Sequence, residues 1–254
     1  MSQYTQRSNV LIFGASGGIG SALARQLSAL GCQLTLVARD RERLDTLAHE
    51  LNADSFSLDA TDSAAVEHCV AQVSEKQGRV DGVVNCAGSL LLKPAHLTTD
   101  LEWAAVLGAN LTSSFHVLRS STARMMKTGG GSIVLLSSAV AQRGMINHEA
   151  IAAAKAGVVG LALSAAATYA RYNIRVNCVA PGLTRTPLTQ ALTKNEVSLK
   201  ASKALHPLGR IGEPDEVASA IRWFLSPDQS WVTGQVLAVD GGLSSVQPRT
   251  SIPA

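Results

Sequence analysis

Residues 10–20 read Val10-Leu11-Ile12-Phe13-Gly14-Ala15-Ser16-Gly17-Gly18-Ile19-Gly20, an apolar run that ends in a cluster of glycines. Just beyond, Ile19, Leu23, Leu27 and Leu30 recur at steps of three and four, the stripe of a helix lying on a sheet. A strand that is apolar along its whole length is buried on both faces, as in a parallel sheet. Glycine lets the chain turn sharply from such a strand into a helix. The stretch therefore predicts the opening strand–turn–helix unit of an α/β fold.

The same alternation runs along the chain. Strands are predicted at 34–37, 55–58, 80–84, 132–136, 174–179 and 235–239. Leu44, Leu47 and Leu51 mark one helix, and Val66, Cys69, Val70 and Val73 another. Further helices fit at about 100–127, 149–170 and 213–225. Right-handed crossovers between parallel strands then give a doubly wound seven-stranded parallel sheet with helices on both faces, a single-domain Rossmann fold with ligands at the carboxyl ends of the strands. No linker or repeat interrupts residues 1–254, so one domain is expected. Residues 183–208 carry Pro187, Lys194 and Pro207 without a strong period and read as a substrate lid. Residues 245–254 read as a tail, either loosely ordered or docked on a partner subunit.

Composition narrows the function classes. The 254 residues are 46% hydrophobic and 16% charged, with a formal charge of +3. That excess is small and evenly spread, which argues against a nucleic-acid partner. The densest run, Arg39-Asp40-Arg41-Glu42-Arg43, alternates in sign and reads as a solvated helix start. Cys32, Cys69, Cys86 and Cys178 are far apart with no Cys-x-x-Cys pair, so zinc is not expected and reduced thiols in a cytoplasmic protein are. The weakly polar stretch 150–170 is mostly alanine, contains Lys155 and is short of Leu, Ile and Phe, so it reads as a buried or interface helix and not as a membrane span.

The glycine loop has the spacing Gly-x-x-x-Gly-x-Gly rather than the general Gly-x-Gly-x-x-Gly fingerprint. Between a strand and a helix it still offers close backbone approach and free amides to a pyrophosphate. Joined with Asn85-Cys86-Ala87-Gly88, Asn110, Ser137-Ser138, Lys155, Pro181-Gly182, Val232-Thr233-Gly234-Gln235 and Val239-Asp240-Gly241-Gly242, it makes the chain resemble the short-chain dehydrogenase/reductase family over nearly its whole length. The resemblance implies cofactor roles for specific positions. Gly14, Gly18, Ile19 and Gly20 would lie under the pyrophosphate and Ser16 near the adenosine ribose. Asp59 and Ala60 would border the adenine, although Asp59 also reads as a turn or capping aspartate. Asn85, Ala87 and Gly88 would support the central strand and the second ribose, with Pro181, Gly182 and Thr186 at the nicotinamide end.

The second strand separates the two cofactors. An NAD enzyme usually ends it with an acid that binds the ribose 2′-hydroxyl. Here the place reads Val37-Ala38-Arg39. A guanidinium suits a 2′-phosphate, so NADP(H) is preferred over NAD(H). Asp40 competes as the missing acid but more naturally caps the helix that follows.

The family's chemistry uses tyrosine, lysine, serine and asparagine to reduce a carbonyl or oxidise an alcohol. Lys155, Ser138 and Asn110 match three of the four. The tyrosine position, four residues before the lysine, holds Ile151, which cannot exchange a proton. His148, seven residues before Lys155, would share its helical face and is the candidate replacement donor. Glu149 lies about a third of a turn away and favours the helix dipole instead. The reading is an NADP(H)-dependent oxidoreductase with an atypical proton donor, acting on a small apolar carbonyl or enoyl substrate held near residues 90–92, 139–146 and 183–208. An enoyl- or dienoyl-type carbon–carbon reductase and a non-catalytic NADP(H)-binding module are the alternatives. The resemblance also implies a homo-tetramer paired through the alanine-rich helix.

Overall fold

The computed structural model describes residues 8–247; Tyr4 and the part of the expected tail beyond residue 247 lie outside the described residues. Seven strands form one sheet: β1 (Asn9–Phe13), β2 (Gln33–Ala38), β3 (Asp54–Ser57), β4 (Gly82–Asn85), β5 (Gly131–Leu136), β6 (Ile174–Pro181) and β7 (Val236–Val239). Their order is β3-β2-β1-β4-β5-β6-β7, and every neighbouring pair is parallel. The chain reverses its direction of growth between β1 and β4, so a crevice opens beyond Phe13 and Asn85, which pair in register.

Successive side chains of a strand point to opposite faces, and β1 feeds both. Val10 and Ile12 join the layer covered by α1 (Gly18–Ser28), α2 (Arg41–Leu51) and α9 (Pro214–Leu225), through Leu23, Leu27, Leu44, Ile221 and Phe224. Leu11 and Phe13 join the opposite layer, covered by α3 (Ser63–Gln77), α5 (Ser113–Met125) and α6 (Glu149–Tyr169), through Val70, Val117, Val158 and Ala162. Residues 149–172 are long and apolar enough to cross a membrane by length and composition, but Val158, Ala162, Ala165 and Ala166 are packed on the sheet. The alanines permit that close approach.

Local chemistry fixes the helix starts. Asp40 accepts from the Arg43 N–H at 3.1 Å and caps α2, as its position in the sequence implies. Asp62 does the same for α3, accepting from Ala64 and Ala65. Thr99 and Glu102 form a reciprocal capping box at the start of α4 (Asp100–Leu107).

Two expectations change. The single helix read at about 100–127 is α4 and α5 joined by a π turn, Gly108–Thr112, which inserts a wider loop into the ladder and carries Asn110 to a fully buried position. The segment 183–208 is not featureless: α7 (Gln190–Lys194) and α8 (Glu196–Leu205) lie within it. No residue of α8 is buried.

Leu23→Ala should lower unfolding free energy by about 2–5 kcal/mol, since its side chain is wholly enclosed between α1 and the sheet. Leu101→Ala, at a position 84% exposed, should change it by less than about 0.5 kcal/mol. Urea denaturation of both variants measures the contrast.

Candidate functional site

A cavity of about 700 Å³ lies at the carboxyl ends of β1, β2 and β4. Gly14, with φ +73°, forms its floor, and a Cβ there would meet the backbone N of Ala87 at 2.5 Å. A Cβ on Gly20 would meet the Gly14 carbonyl at 2.3 Å. Only glycine lets the turn, the first helix and the loop after β4 come this close. Gly17 caps α1 without a side-chain hydrogen bond, and no acidic residue occupies the first turn. The amides there face the cavity with the positive end of the helix dipole behind them. The shape and donor set fit a dinucleotide.

Of the residues expected to hold it, Gly14, Ser16, Gly18, Ile19, Gly20, Arg39, Asp59, Ala60, Ala87, Gly88 and Thr186 all line this cavity. Asn85 lies behind it, buried, donating to Ser113 and Ser114 and accepting from the Ala87 N–H. Gly182 lines a neighbouring cavity instead, alongside His206 and Asp240. The Pro181 carbonyl lies 3.5 Å from the Ser138 hydroxyl, which can donate to it.

Two guanidiniums stand where the cavity meets the end of β2. Arg39 lies 3.5 Å from the Asp59 carboxylate, with both side chains substantially exposed. Such a surface pair contributes little and yields readily to a stronger anion. Asp59 also accepts from Thr61 at 2.8 and 2.9 Å, so its turn role and its place on the cavity wall coexist. Arg43 reaches back from α2 and donates to the Ser16 carbonyl at 2.7 Å, which puts it on the cavity wall. The sequence reading placed it in a solvated helix start. The sign alternation of residues 39–43 hid it: Arg39 follows β2 ahead of the Asp40 N-cap, so no helical period links it to Arg43, and only the cavity wall brings the two together.

The other end of the cavity meets a buried polar cluster. Lys155 extends from α6 and donates to the Leu136 carbonyl at 2.8 Å, while Ser137 holds the Lys155 carbonyl at 2.9 Å. Burial pushes the Lys155 pKa down to about 8. Burial likewise pushes the nearby Cys86 and Cys178 thiols up to about 12, so neither supplies a counter-charge near neutrality. A Cβ on Gly88 would stand 2.8 Å from Asn110 Oδ1 and 3.7 Å from Lys155 Nζ, so the π turn and α6 converge on the cavity edge.

Ile151 is buried one turn before Lys155, in an apolar cluster with Val106, Ala150 and Ala154 against Leu91 and Val140. His148 is the N-cap of α6, with φ −111° and ψ 13°, outside the regular helix that places Ile151 and Lys155 on one face. Its Nδ1 lies 2.6 Å from the Ile146 carbonyl. Among the described residues it has no hydrogen bond to Ser138, Asn110 or Lys155.

These features match a known family. A family profile described as enoyl-(acyl carrier protein) reductase matches residues 14–244. The chain is 39% identical over 242 residues to the 3-oxoacyl-[acyl-carrier-protein] reductase FabG of Thermotoga maritima, covering 92% of this chain and 96% of that one. The chain belongs to the short-chain dehydrogenase/reductase family. It is 33% identical to the D-threitol dehydrogenase of Mycolicibacterium smegmatis, with 91% of each chain covered. A short-chain dehydrogenase/reductase from Mycobacterium ulcerans superposes with a TM-score of 0.90 at 32% identity, over 94% of this chain and 90% of that one. A variant of actinorhodin polyketide ketoreductase, determined with NADPH, gives 0.90 at 32% identity over 97% and 100%. The chain is therefore an oxidoreductase of this type.

Lys155 has a measurable signature. Its folded pKa lies near 8, below the ordinary 10.5, so between those values the unfolded chain binds more protons and stability rises with pH. The raised thiols act in the opposite sense above about pH 9, so the difference between wild type and Lys155→Met isolates the lysine. That difference should favour Lys155→Met by up to about 3 kcal/mol at pH 7 and shrink towards pH 10, as read by denaturation at each pH.

Proposed function

We propose that the chain is an NADP(H)-dependent reductase of small apolar carbonyl compounds that works without a tyrosine at its proton-donor position. The observation that carries the cofactor choice is the pair Arg39 and Arg43, both lining the cavity where β2 ends in Ala38 instead of an acid. Two guanidiniums on one cavity wall offer charge-assisted donors to a 2′-phosphate. Bound there, the nicotinamide would supply hydride. Gly14, Gly18, Ile19 and Gly20 would cradle the pyrophosphate, Ser16, Asp59 and Ala60 the adenosine, and Ala87, Gly88, Pro181, Gly182 and Thr186 the remainder.

Lys155 keeps further N–H donors beyond its bond to Leu136, which suits it to bind the second ribose and to hold a water. In this reading Ser138 orients the substrate oxygen, Asn110 shapes the water site and Lys155 feeds the proton through that water. His148 is the competing donor, reaching the oxygen from the mouth of α6 through Nε2. The carbonyl substrate follows the activities of the relatives, which include 3-oxoacyl-[acyl-carrier-protein] and polyketide keto reduction. The apolar surroundings of Ile151, with Leu91, Leu107 and Val140, favour an apolar chain beside the reacting carbon. A homo-tetramer accords with the exposed apolar Phe115 of α5 and Leu163 of α6.

A second reading, reduction of a double bond conjugated to a carbonyl, draws on Ile151 and on the description of the matching family profile. Hydride would then go to the β-carbon, leaving an enolate for the pocket to stabilise. NADPH oxidation followed against 3-oxoacyl and enoyl thioesters separates the two reactions. Saturable NADPH binding without turnover on either would leave the binding-module reading in place.

Arg39→Ala and Arg43→Ala should each weaken NADPH binding by about tenfold or more and leave NADH nearly unchanged, by calorimetry. Equal loss for both nucleotides would contradict the 2′-phosphate assignment. Separately, Ile151→Tyr should raise ketone reduction by about 10²-fold or more by restoring an acid one turn before Lys155. His148→Phe should leave turnover within about twofold if water carries the proton, and reduce it by at least ~10² if the imidazole does.

A further inference from the structure

His206 closes α8 as its C-cap and is buried, yet no step of the proposed chemistry uses it. Its ring joins two stretches of chain. Nδ1 lies 2.6 Å from the Ser202 carbonyl in the last turn of α8, and the Leu183 N–H donates to Nε2 at 3.3 Å. A carbonyl only accepts and an amide N–H only donates. These partners therefore suit one form of the imidazole alone, the neutral ring with its proton on Nδ1. The ring is also wedged against the end of β6. A Cβ on Gly182 would meet Nε2 at 2.8 Å, and one on Gly241 would meet Cδ2 of the ring at 3.6 Å.

A second ring proton has no place in this arrangement. It would sit on Nε2 and face the Leu183 N–H, donor against donor. The charged groups on the surrounding elements are Asp240 after β7, Arg210 in the loop after α8 and Glu216 of α9, which share a cavity of about 320 Å³ with the ring. Asp240 already accepts from the N–H groups of Gly242 at 2.9 Å and Ser244 at 2.8 Å, and Arg210 is paired with Glu216 at 2.6 Å. Lys200 and Lys203 of α8 itself are exposed. Among the described residues none of these groups is hydrogen-bonded to the ring. With no buried residue of its own, α8 has little else to hold it.

We propose that His206 is a positioning residue: its neutral imidazole ties the last turn of α8 to Leu183 at the end of β6, and protonation of the ring releases the helix. The tie itself stands apart from the cofactor reading, and only its bearing on turnover rests on Pro181 and Gly182 lying at the nicotinamide end. Acid acts on one bond in particular. The Nδ1 contact to Ser202 survives protonation, because Nδ1 remains a donor, whereas the Leu183 N–H loses its acceptor. An unpaired buried N–H is unfavourable, so the ring and the helix end that carries it move away from the strand.

The test is cleavage of the full chain by thermolysin, which cuts before apolar residues and finds the exposed Val197 and Leu205 once α8 opens. Rates are normalised at each pH to a free peptide spanning residues 196–205. His206→Leu, which keeps apolar bulk and removes both bonds, should raise cleavage at about pH 8 by about tenfold or more. His206→Gln, whose Oε1 can accept from Leu183, should bring it back to within about threefold of wild type. Moving to about pH 5.5 should speed wild-type cleavage about fivefold or more and leave His206→Gln, which does not titrate, within about twofold. Unchanged cleavage in a folded His206→Leu overturns the proposal, as does failure of His206→Gln to rescue or an acid response as large in that variant as in wild type. If His206→Leu fails to fold, nitrogen-15 NMR of the wild-type histidine rings decides at about pH 8: a proton on Nδ1 of His206 supports the tie, and one on Nε2 overturns it. A wild-type protein that shows the acid-triggered cleavage but binds no NADPH would refute the cofactor reading and leave the tie intact.

Discussion

The site depends on one close approach. At Gly14 the turn leaving β1 comes so near the loop leaving β4 that no Cβ fits between them, and the two adjacent strands open their crevice at that point. The free amides at the start of α1 and the Ala87–Gly88 backbone are brought onto one surface by this contact. Gly88 in turn carries the contact to Asn110 and Lys155. The glycine-lined cavity and the buried polar cluster therefore share a single short stretch of backbone. Displacing either glycine would separate them.

The second constraint is the buried lysine. Its ammonium is held by a backbone carbonyl and by no carboxylate, and α6 is fastened to β5 at the same level by Ser137. Burying charge this way is unfavourable unless the group is neutralised or gains a ligand. A bound ribose would supply the missing hydrogen-bond partners. The protein thus keeps a destabilised group at the cavity edge, a common relation between strain and function.

Most of the architecture could be read from the chain because the central strands are buried on both faces and the helices carry clear stripes. Val10 to Phe13 and Ile133 to Leu136 announce themselves by apolar continuity alone. β3 is short and half exposed, and only its place in the alternation revealed it. The π turn escaped notice because Gly108-Ala109-Asn110 continues the helical pattern of its neighbours, and the inserted residue leaves no mark in polarity. Arg43 was missed for a different reason. Its place on the cavity wall arises from what faces it across space, the Ser16 carbonyl, and no local period encodes that. His206 is similar: it is enclosed between α8 and β6, bonded at both nitrogens to Ser202 and Leu183, although nothing in its sequence neighbourhood singles it out. Ile151 was legible only by contrast with the family pattern.

The anchoring of α8 bears on how the molecule breathes. This helix presents no buried residue along its length and is moored at its carboxyl end by that one imidazole. Detaching it exposes almost no apolar surface, so the segment belongs to the weakly protected end of the free-energy scale while the sheet stays intact. Amide exchange along 196–205 would accordingly run ahead of exchange in the central strands.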